Sequence, residues 1–216
     1  MISSGRLAWV IILLVIVADQ GLKFYIKTNF VHGEEQAILG LSWAFLRFEE
    51  NNGMAFNWQF GGQYGKLILT FLRISAMIIL AYFLRQALIE NVRRATIIGF
   101  SLVLAGAGGN IIDSVFYGVL FSESLVDGSV AQFWPTDGGY APLLFGAVVD
   151  MFYLPIWIGE YPDWFPFLGG KVFHFFRPVF NIADMAIFSG VILLIKEFLF
   201  GKQISGQPEY QTLEEE

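Results

Sequence analysis

The chain has 216 residues, of which 56% are hydrophobic and 15% are charged, and its mean hydropathy is +0.59. This composition excludes an ordinary soluble domain and predicts an integral membrane protein. The absence of cysteine excludes disulfides and thiolate chemistry, and a net charge of −6 without basic, aromatic-rich stretches argues against nucleic acid as a partner. The two histidines, His32 and His174, lie far apart, so no histidine-rich metal site is predicted.

Four apolar stretches approach the roughly 20 residues that a membrane-spanning helix needs. They cover residues 7–26, 66–84, 95–120 and 180–200. The second contains Arg73, which at such depth must face protein or reach toward the membrane surface. The first could instead be a secretory signal peptide, but no small-x-small cleavage site follows it. We therefore predict an α-helical integral membrane protein with four transmembrane helices in one domain, residues 1–200, and a polar, acidic tail, residues 201–216.

The positions of lysine and arginine predict the orientation of these helices, because cytoplasmic ends are enriched in both. Positive charges lie before the first stretch, between the second and third, and at the end of the fourth: Arg6, Arg85, Arg93, Arg94, Lys196 and Lys202. Both termini should therefore be cytoplasmic. Two long loops, residues 28–65 and 121–178, should lie on the outer side, which makes the acidic tail cytoplasmic.

The two outer loops have different compositions. The first alternates aromatic and polar residues around Asn51-Asn52-Gly53, which predicts short strands and a β-like cradle. The second is rich in Trp, Phe, Pro and Gly, which is typical of a segment lying at the membrane interface. No internal repeat is evident, which argues against a transporter built from repeats.

Polar residues converge on the outer side of this predicted topology. Pairs spaced to share a helix face fall near the outer ends of three spans, and others fall in the outer loops: Asp19 and Lys23, Asn110 and Asp113, Asn181 and Asp184, Asn51, Gly53 and Asp150. Ionisable residues within membrane spans are candidates for function, and a cluster of them predicts a site.

Each of these residues also has a structural explanation. Asn181 can cap a helix with Asp184 in its first turn, and Asp19 with Lys23 can be a structural ion pair. The small residues 105–110 favour close helix packing, residues 51–53 can form a hairpin turn, and Asp150 can end a strand.

The chemistry available to this cluster is limited. No cysteine nucleophile, no serine–histidine motif and no D-x-x-D metal motif is present. Metal-free acid–base chemistry by two carboxylates remains, with one ionised to take a proton from water and one protonated to polarise a carbonyl. Asp150 and Asp184 are the predicted pair, and the helix N-terminus favours Asp184 as the base.

Five short motifs occur in an order that resembles the lipoprotein signal peptidases, the bacterial signal peptidase II family. They are "ADQGLKFYI" with Asp19 and Lys23, "NNGMAF" with Asn51 and Gly53, "AGAGGNIID" with Asn110 and Asp113, "VVDMF" with Asp150, and "FNIAD" with Asn181, Ala183 and Asp184. Each is weak alone, but the ordered set covers residues 19–184.

The resemblance implies a membrane aspartic endopeptidase without metal or cofactor, located in the bacterial cytoplasmic (inner) membrane with its active site on the extracytoplasmic face. It implies removal of the signal peptide from diacylglyceryl-modified prolipoproteins just before the lipidated cysteine, and inhibition by the cyclic peptide globomycin. Its catalytic residues would be Asp150 and Asp184. The remaining motif residues would position substrate or support the pair: Asn51, Gly53, Asn110, Asp113, Asn181, Asp19, Lys23 and Ala183.

The sequence departs from the family in two places. The family has arginine after the aspartate of the third motif, where this chain has Ser114. Arg177, just before the fourth stretch, is our candidate substitute. Residues 114–146 also form a longer link than the family's, which predicts an extra outer element at the substrate entrance. The alternatives are a small proton-coupled transporter that uses the aspartates as a relay and a membrane assembly protein without enzymatic activity.

Overall fold

The computed structural model describes residues 2–53, 63–126 and 128–201 of the chain. Within them lie the helices α1 (Ser4–Asn29), α2 (Gln63–Ile89), α3 (Arg94–Ile112) and α5 (Ile182–Phe200). After α3, a π-helical turn (Asp113–Tyr117) leads into the short α4 (Gly118–Leu120). The acidic tail from residue 202 onward and residues 54–62, which include Ala55 and Phe56 of the second motif, lie outside the described residues.

Three helices in the described ranges are long and apolar enough to cross a membrane: Ser4–Asn29, Tyr64–Ile89 and Arg94–Leu120. They contain the first three predicted stretches and extend beyond them at one or both ends. The fourth stretch also forms a helix, α5. It carries Asp184, Lys196 and Glu197 within 19 residues, so its length and composition alone do not mark it as a span.

Helix α3 lies at the centre and packs against α1, α2 and α5. Large apolar side chains on the outside of the bundle remain exposed, among them Trp9 (73% exposed), Phe188 (68%) and Phe198 (77%). Apolar surface of this extent is typical of a protein covered by lipid. The fold is therefore that of a helical membrane protein.

Four strands form one antiparallel sheet in the order β1 (Glu35–Ala37), β2 (Phe45–Asn51), β3 (Val148–Tyr153) and β6 (Val179–Phe180). Here Glu49 pairs with Asp150, and Phe152 pairs with Phe180. Strand β6 leads directly into α5, so the sheet brings residues near 50, 150 and 180 side by side. Strand β2 pairs with β1 and β3. The residues that would follow the predicted hairpin turn at Asn51–Gly53 lie outside the described residues.

A second, two-stranded sheet joins β4 (Trp157–Glu160) to β5 (Val172–Phe175). The Trp157 and Phe173 rings pack edge to face with centroids 5.3 Å apart. Other aromatic side chains of this hairpin and its loop point away from the protein: Trp164 is 78% exposed and Phe167 is 97% exposed. The aromatic-rich segment between β3 and β6 thus forms a hairpin whose loop projects from the protein.

Residues 114–126 and 128–146 fold back over the end of α1 and the sheet. Lys27 Nζ donates to Ser124 Oγ (2.9 Å), is hydrogen-bonded to Glu50, and lies 4.8 Å from the Tyr140 ring centroid. Tyr140 in turn accepts a hydrogen bond from Ala147 N (2.7 Å) at the start of β3. The link is therefore anchored by a buried cation. Its expected effect on substrate entry stays a prediction.

Candidate active site

The start of α5 is closed by a reciprocal capping box. Asn181 Oδ1 accepts a hydrogen bond from Asp184 N (2.9 Å), and Asp184 Oδ2 accepts one from Asn181 N (3.3 Å). This satisfies two N–H groups that the first helical turn leaves without partners. Asn181 and Asp184 can cap the helix and also belong to the site, because Asn181 Nδ2 and Asp184 Oδ1 remain available for other partners.

Two amide groups connect Asp184 to Asp150. Asn110 Nδ2 donates to Asp184 Oδ1 (2.9 Å), and Asn181 Nδ2 donates to Asp150 Oδ1 (2.7 Å). Asn181 Nδ2 also lies 3.1 Å from Asn110 Oδ1, so the two amides touch each other. On its other side, Asp150 Oδ2 accepts from Asn51 Nδ2 (3.1 Å). Both carboxylates are therefore oriented by neutral donors.

Asp150 sits in β3 with 3% of its surface exposed. Burial raises the pKa of Asp150 to about 7, and the negative charge of Asp184 contributes to that rise. The hydrogen bonds from Asn51 and Asn181 act in the opposite direction because they favour the carboxylate. A buried carboxyl group with this pKa can keep a proton near neutral pH, as a general acid must.

Lys23 is the buried cation beneath the pair. Its Nζ contacts Asp19 Oδ2 (2.9 Å), Asp113 Oδ2 (2.8 Å) and Asn110 Oδ1 (2.8 Å), which uses all three ammonium protons. Asp19 Oδ1 accepts a hydrogen bond from Ala183 N (2.9 Å) at the start of α5. This network joins α1, α3 and α5. Through Lys23 it contacts Asn110, which orients Asp184, and through Asp19 it contacts the first turn of α5.

Asp113 supports the strand that carries Asp150. Its Oδ2 accepts a hydrogen bond from Val149 N (3.2 Å), and its Oδ1 accepts one from Gln20 Nε2 (2.8 Å). Tyr117 donates to Gln20 Oε1 (3.2 Å). We did not single out Gln20 or Tyr117 from the sequence. Gln20 belongs to the first motif and follows Asp19, and that adjacency is the signal that could have identified it.

Close approach of the helices requires glycine at position 109. A Cβ atom there would lie 2.6 Å from Asp19 Oδ2 and 3.3 Å from Ala183 Cβ. The stretch of small residues in the third motif therefore serves helix packing, as expected, and that packing is what places Asn110 beside Asp184.

Gly53 is needed for its backbone conformation, with φ of +78°. Its N donates to Asn51 Oδ1 (2.8 Å), which holds the Asn51 amide in the orientation that meets Asp150. A Cβ at this position would also clash with Leu69 Cδ2 in α2. Gly53 thus positions Asn51.

The arginine in contact with Ser114 is Arg73 of α2, whose Nη1 donates to Ser114 Oγ (2.9 Å). Arg177, our candidate substitute for the family's arginine, lies exposed between β5 and β6. The structure thus gives the contact at Ser114 to a different residue, because α2 packs against α3 at this level. The sequence predicted that Arg73 would face protein or reach toward the membrane surface, but it did not identify Ser114 as its partner.

The histidines lie apart from the pair or outside what can be described. His32 Nε2 accepts from Glu50 N (3.4 Å), and the side chain of His174 lies outside the described part of the structure. Across residues 2–53, 63–126 and 128–201, no three side chains of His, Cys, Asp or Glu are grouped as ligands for a metal ion.

Comparison with known proteins identifies the family. A model of the signal peptidase (SPase) II family matches residues 11–200. A lipoprotein signal peptidase of Porphyromonas gingivalis is 42% identical over 195 residues, which cover 90% of this chain and 83% of the relative. One from Amoebophilus asiaticus is 38% identical over 188 residues, covering 86% and 74%. The resemblance inferred from the five motifs is confirmed.

Solved structures support the fold. One described as a bacterial membrane enzyme, obtained by the in meso method at 2.3 Å, superposes with a TM-score of 0.59 at 23% identity and covers 94% of both chains. A second, at 1.9 Å, gives 0.57 at 25% identity and covers 90% of this chain and 94% of the other. The chain belongs to the signal peptidase II family, whose members are peptidases that remove signal peptides from lipoproteins.

Proposed function

We propose that Asp150 and Asp184 are the catalytic pair with which this peptidase removes the signal peptide of lipoproteins. The observation that carries the proposal is the amide bridge formed by Asn110 and Asn181, which orients one oxygen of each carboxylate. The high pKa of Asp150, caused first by burial and then by the charge of Asp184, supports a pair that shares one proton.

In this mechanism Asp184 is the base. Its carboxylate accepts hydrogen bonds from Asn181 N and Asn110 Nδ2, which orient it at the N-terminus of α5. Asp184 takes a proton from water as the water oxygen bonds to the scissile carbonyl carbon, while protonated Asp150 donates to the carbonyl oxygen. When the tetrahedral intermediate collapses, the C–N bond breaks, the leaving nitrogen takes the proton from Asp184, and Asp150 recovers its own.

The proposed substrates are prolipoproteins that carry a diacylglyceryl group, cut just before the lipidated cysteine. A lipid-anchored substrate requires carboxylates at the membrane boundary that can be reached from the bilayer. Two features support this proposal. The site lies at the ends of apolar helices, and the apolar side chains of Phe24 and Met185, next in sequence to Lys23 and Asp184, are exposed. We also expect globomycin to inhibit.

The proposed topology has four spans, with α5 as the fourth and both termini in the cytoplasm of a bacterium. Helix α5 has 19 residues, about 28 Å, and exposes apolar residues such as Phe188, Ile192 and Ile195. Arg85, Arg93 and Arg94 in and beside the short α2–α3 connection favour a cytoplasmic position for it. The site would then face the extracytoplasmic side of the inner membrane, with the β4–β5 hairpin at the interface.

The test is cleavage of a purified diacylglyceryl prolipoprotein by enzyme in lipid, with a chelator present. We expect wild type to cleave, Asp150→Asn and Asp184→Asn to be inactive but folded, and the exposed control Asp137→Asn to match wild type. Near-normal turnover by either pair variant would remove that residue from the pair, and Asp113 would be tested next. A proton flux that depends on Asp184, without cleavage, would favour the transporter.

A further inference from the structure

The guanidinium of Arg73 is held at the edge of the site by a buried hydroxyl. Ser114 Oγ, 1% exposed as a residue, accepts from Arg73 Nη1 (2.9 Å) and donates to Asn110 O (2.9 Å). The hydroxyl thus acts both as an acceptor, for Arg73, and as a donor, to Asn110. Asn110 is the residue whose side chain bonds Asp184. The Ser114 hydroxyl therefore links the Arg73 guanidinium to the backbone carbonyl of Asn110.

The same guanidinium lies against the turn that follows β2. A Cβ atom on Gly53 would be 3.1 Å from Arg73 Nη2. Gly53 N holds the Asn51 side chain, and Asn51 Nδ2 meets Asp150. Arg73 thus lies between the groups that orient Asp184 and the groups that orient Asp150.

Two cations act on the pair: Lys23, whose charge acts on Asp150, and Arg73. Arg73 interacts electrostatically with Asp184, Asp113 and Asp150. Asp113 is already paired with Lys23, which also pairs with Asp19. The charged groups that face this region from the surrounding elements are Asp19 and Lys23 of α1, Glu50 of β2, Lys66 and Arg73 of α2, Asp113 after α3, Asp150 of β3 and Asp184 of α5.

We propose that Arg73 is the positioning cation of the catalytic pair: it favours the singly charged pair and fixes the turn at Gly53 that presents Asn51 to Asp150. This inference rests on the proposed function. It also accounts for Ser114, because a small hydroxyl residue leaves room for an arginine from α2 and holds it. The family's guanidinium after Asp113 is thereby supplied by another helix.

The test compares Arg73→Gln, which removes the charge, with Arg73→Lys, which keeps it, across a pH range. A positive charge favours ionisation of a nearby carboxyl pair, so its loss lets the pair keep its proton to higher pH. For Arg73→Gln we expect kcat/KM to fall at least about tenfold and the alkaline limb of the pH profile to move up by about one pH unit. Arg73→Lys should keep the limb within a few tenths of a unit.

An exchange variant separates the charge from its position in the chain. In Arg73→Ser combined with Ser114→Arg, one guanidinium remains at the same contact, so we expect most of the activity lost in Arg73→Gln to return. The control is Arg85→Gln, an exposed arginine further along α2, which should match wild type. Thermal unfolding of each variant establishes that it is folded.

Several outcomes would overturn this role for Arg73. The first is that folded Arg73→Gln keeps the wild-type pH profile. The second is that the exchange variant is no more active than Arg73→Gln. The third is that kcat/KM falls in Arg177→Ala but not in Arg73→Gln. Failure of the proposed function is distinguishable, because it would show as wild-type enzyme that does not cleave, or as cleavage that persists in Asp150→Asn and Asp184→Asn.

Discussion

Lys23 Nζ lies 2.8 Å from Asp113 Oδ2, and neither side chain is exposed. The second carboxylate at Lys23, Asp19, is also fully buried. Removing the cation would leave two buried carboxylates facing each other without compensation. Since each partner of a buried ion pair depends on the other, the cost of breaking the pair is large.

Lys23→Met is therefore expected to lower the free energy of unfolding by about 3 to 5 kcal/mol. Denaturant unfolding in mixed micelles measures this, with Lys171→Met at an exposed position as the control. A Lys23→Met protein as stable as the control would contradict a structural role for the ion pair.

The pH dependence of cleavage follows from Asp150. Because burial and the charge of Asp184 raise the pKa of Asp150 to about 7, the free enzyme loses its shared proton as the pH rises through that value. We expect kcat/KM to fall toward tenfold per pH unit above about pH 7. Measurements between pH 5 and 9 check this, and a flat profile up to pH 9 would exclude Asp150 as the proton carrier.

The same shift predicts a stability effect. The native state binds the Asp150 proton more tightly than the unfolded state, so this contribution is complete below pH 4 and is lost as the pH rises through about 7. Asp150→Asn cannot titrate. Its unfolding free energy, measured in denaturant at pH 5 and pH 8, should fall less between them than that of wild type, and an equal fall in both proteins would contradict the assignment.

Asn181 has two separable roles, a helix cap and a donor to Asp150. Asn181→Ser keeps an oxygen that can cap α5 but removes the amide donor, so it should be more stable than Asn181→Ala and clearly less active than wild type. Asn181→Ala loses both and should be less stable by about 0.5 to 2 kcal/mol. Stability and cleavage assays on both variants test this, and full activity in Asn181→Ser would show that the amide bridge is dispensable.

Two adjacent glycines in α3 provide a matched pair of variants. In Gly109→Ala the new Cβ would meet Asp19 Oδ2 at 2.6 Å, whereas in Gly108→Ala it would meet only Ile16 Cδ1, at 3.6 Å. Overpacking predicts a loss of about 1 to 3 kcal/mol for Gly109→Ala. Gly108→Ala should be neutral or slightly stabilising, because alanine favours helix. Equal unfolding free energies for the two variants would contradict the close packing of α1, α3 and α5.

The helices and the polar cluster could be predicted because each depends on local pattern. Spacing of three residues placed Asn110 with Asp113 and Asn181 with Asp184 on common faces before any contact was known. Register between distant segments could not be predicted. The pairing of Glu49 with Asp150 is set by packing across a hundred residues, and no local turn encodes it.

The sequence also could not reveal which arginine would meet Ser114. Arg177 is close to the site along the chain, whereas Arg73 lies ten residues into a different helix. Only the packing of α2 against α3 brings Arg73 to the level of Asn110. A charged residue about 15 Å along a span indicates that a polar partner exists, but only the packing of the helices shows that this partner is Ser114.

The β4–β5 hairpin projects from the segment between the two aspartates and exposes Trp157 (63%) and Trp164 (78%). Because indole rings prefer the boundary between headgroups and acyl chains, we expect both to enter the outer leaflet. Single-tryptophan proteins in vesicles test this, with the other five tryptophans changed to phenylalanine. Bromine near the headgroup end of the acyl chains should quench their fluorescence more than bromine near the chain ends. Strong quenching by aqueous acrylamide, with none by brominated lipid, would instead place the hairpin in water, where it could contact only the polar part of a substrate.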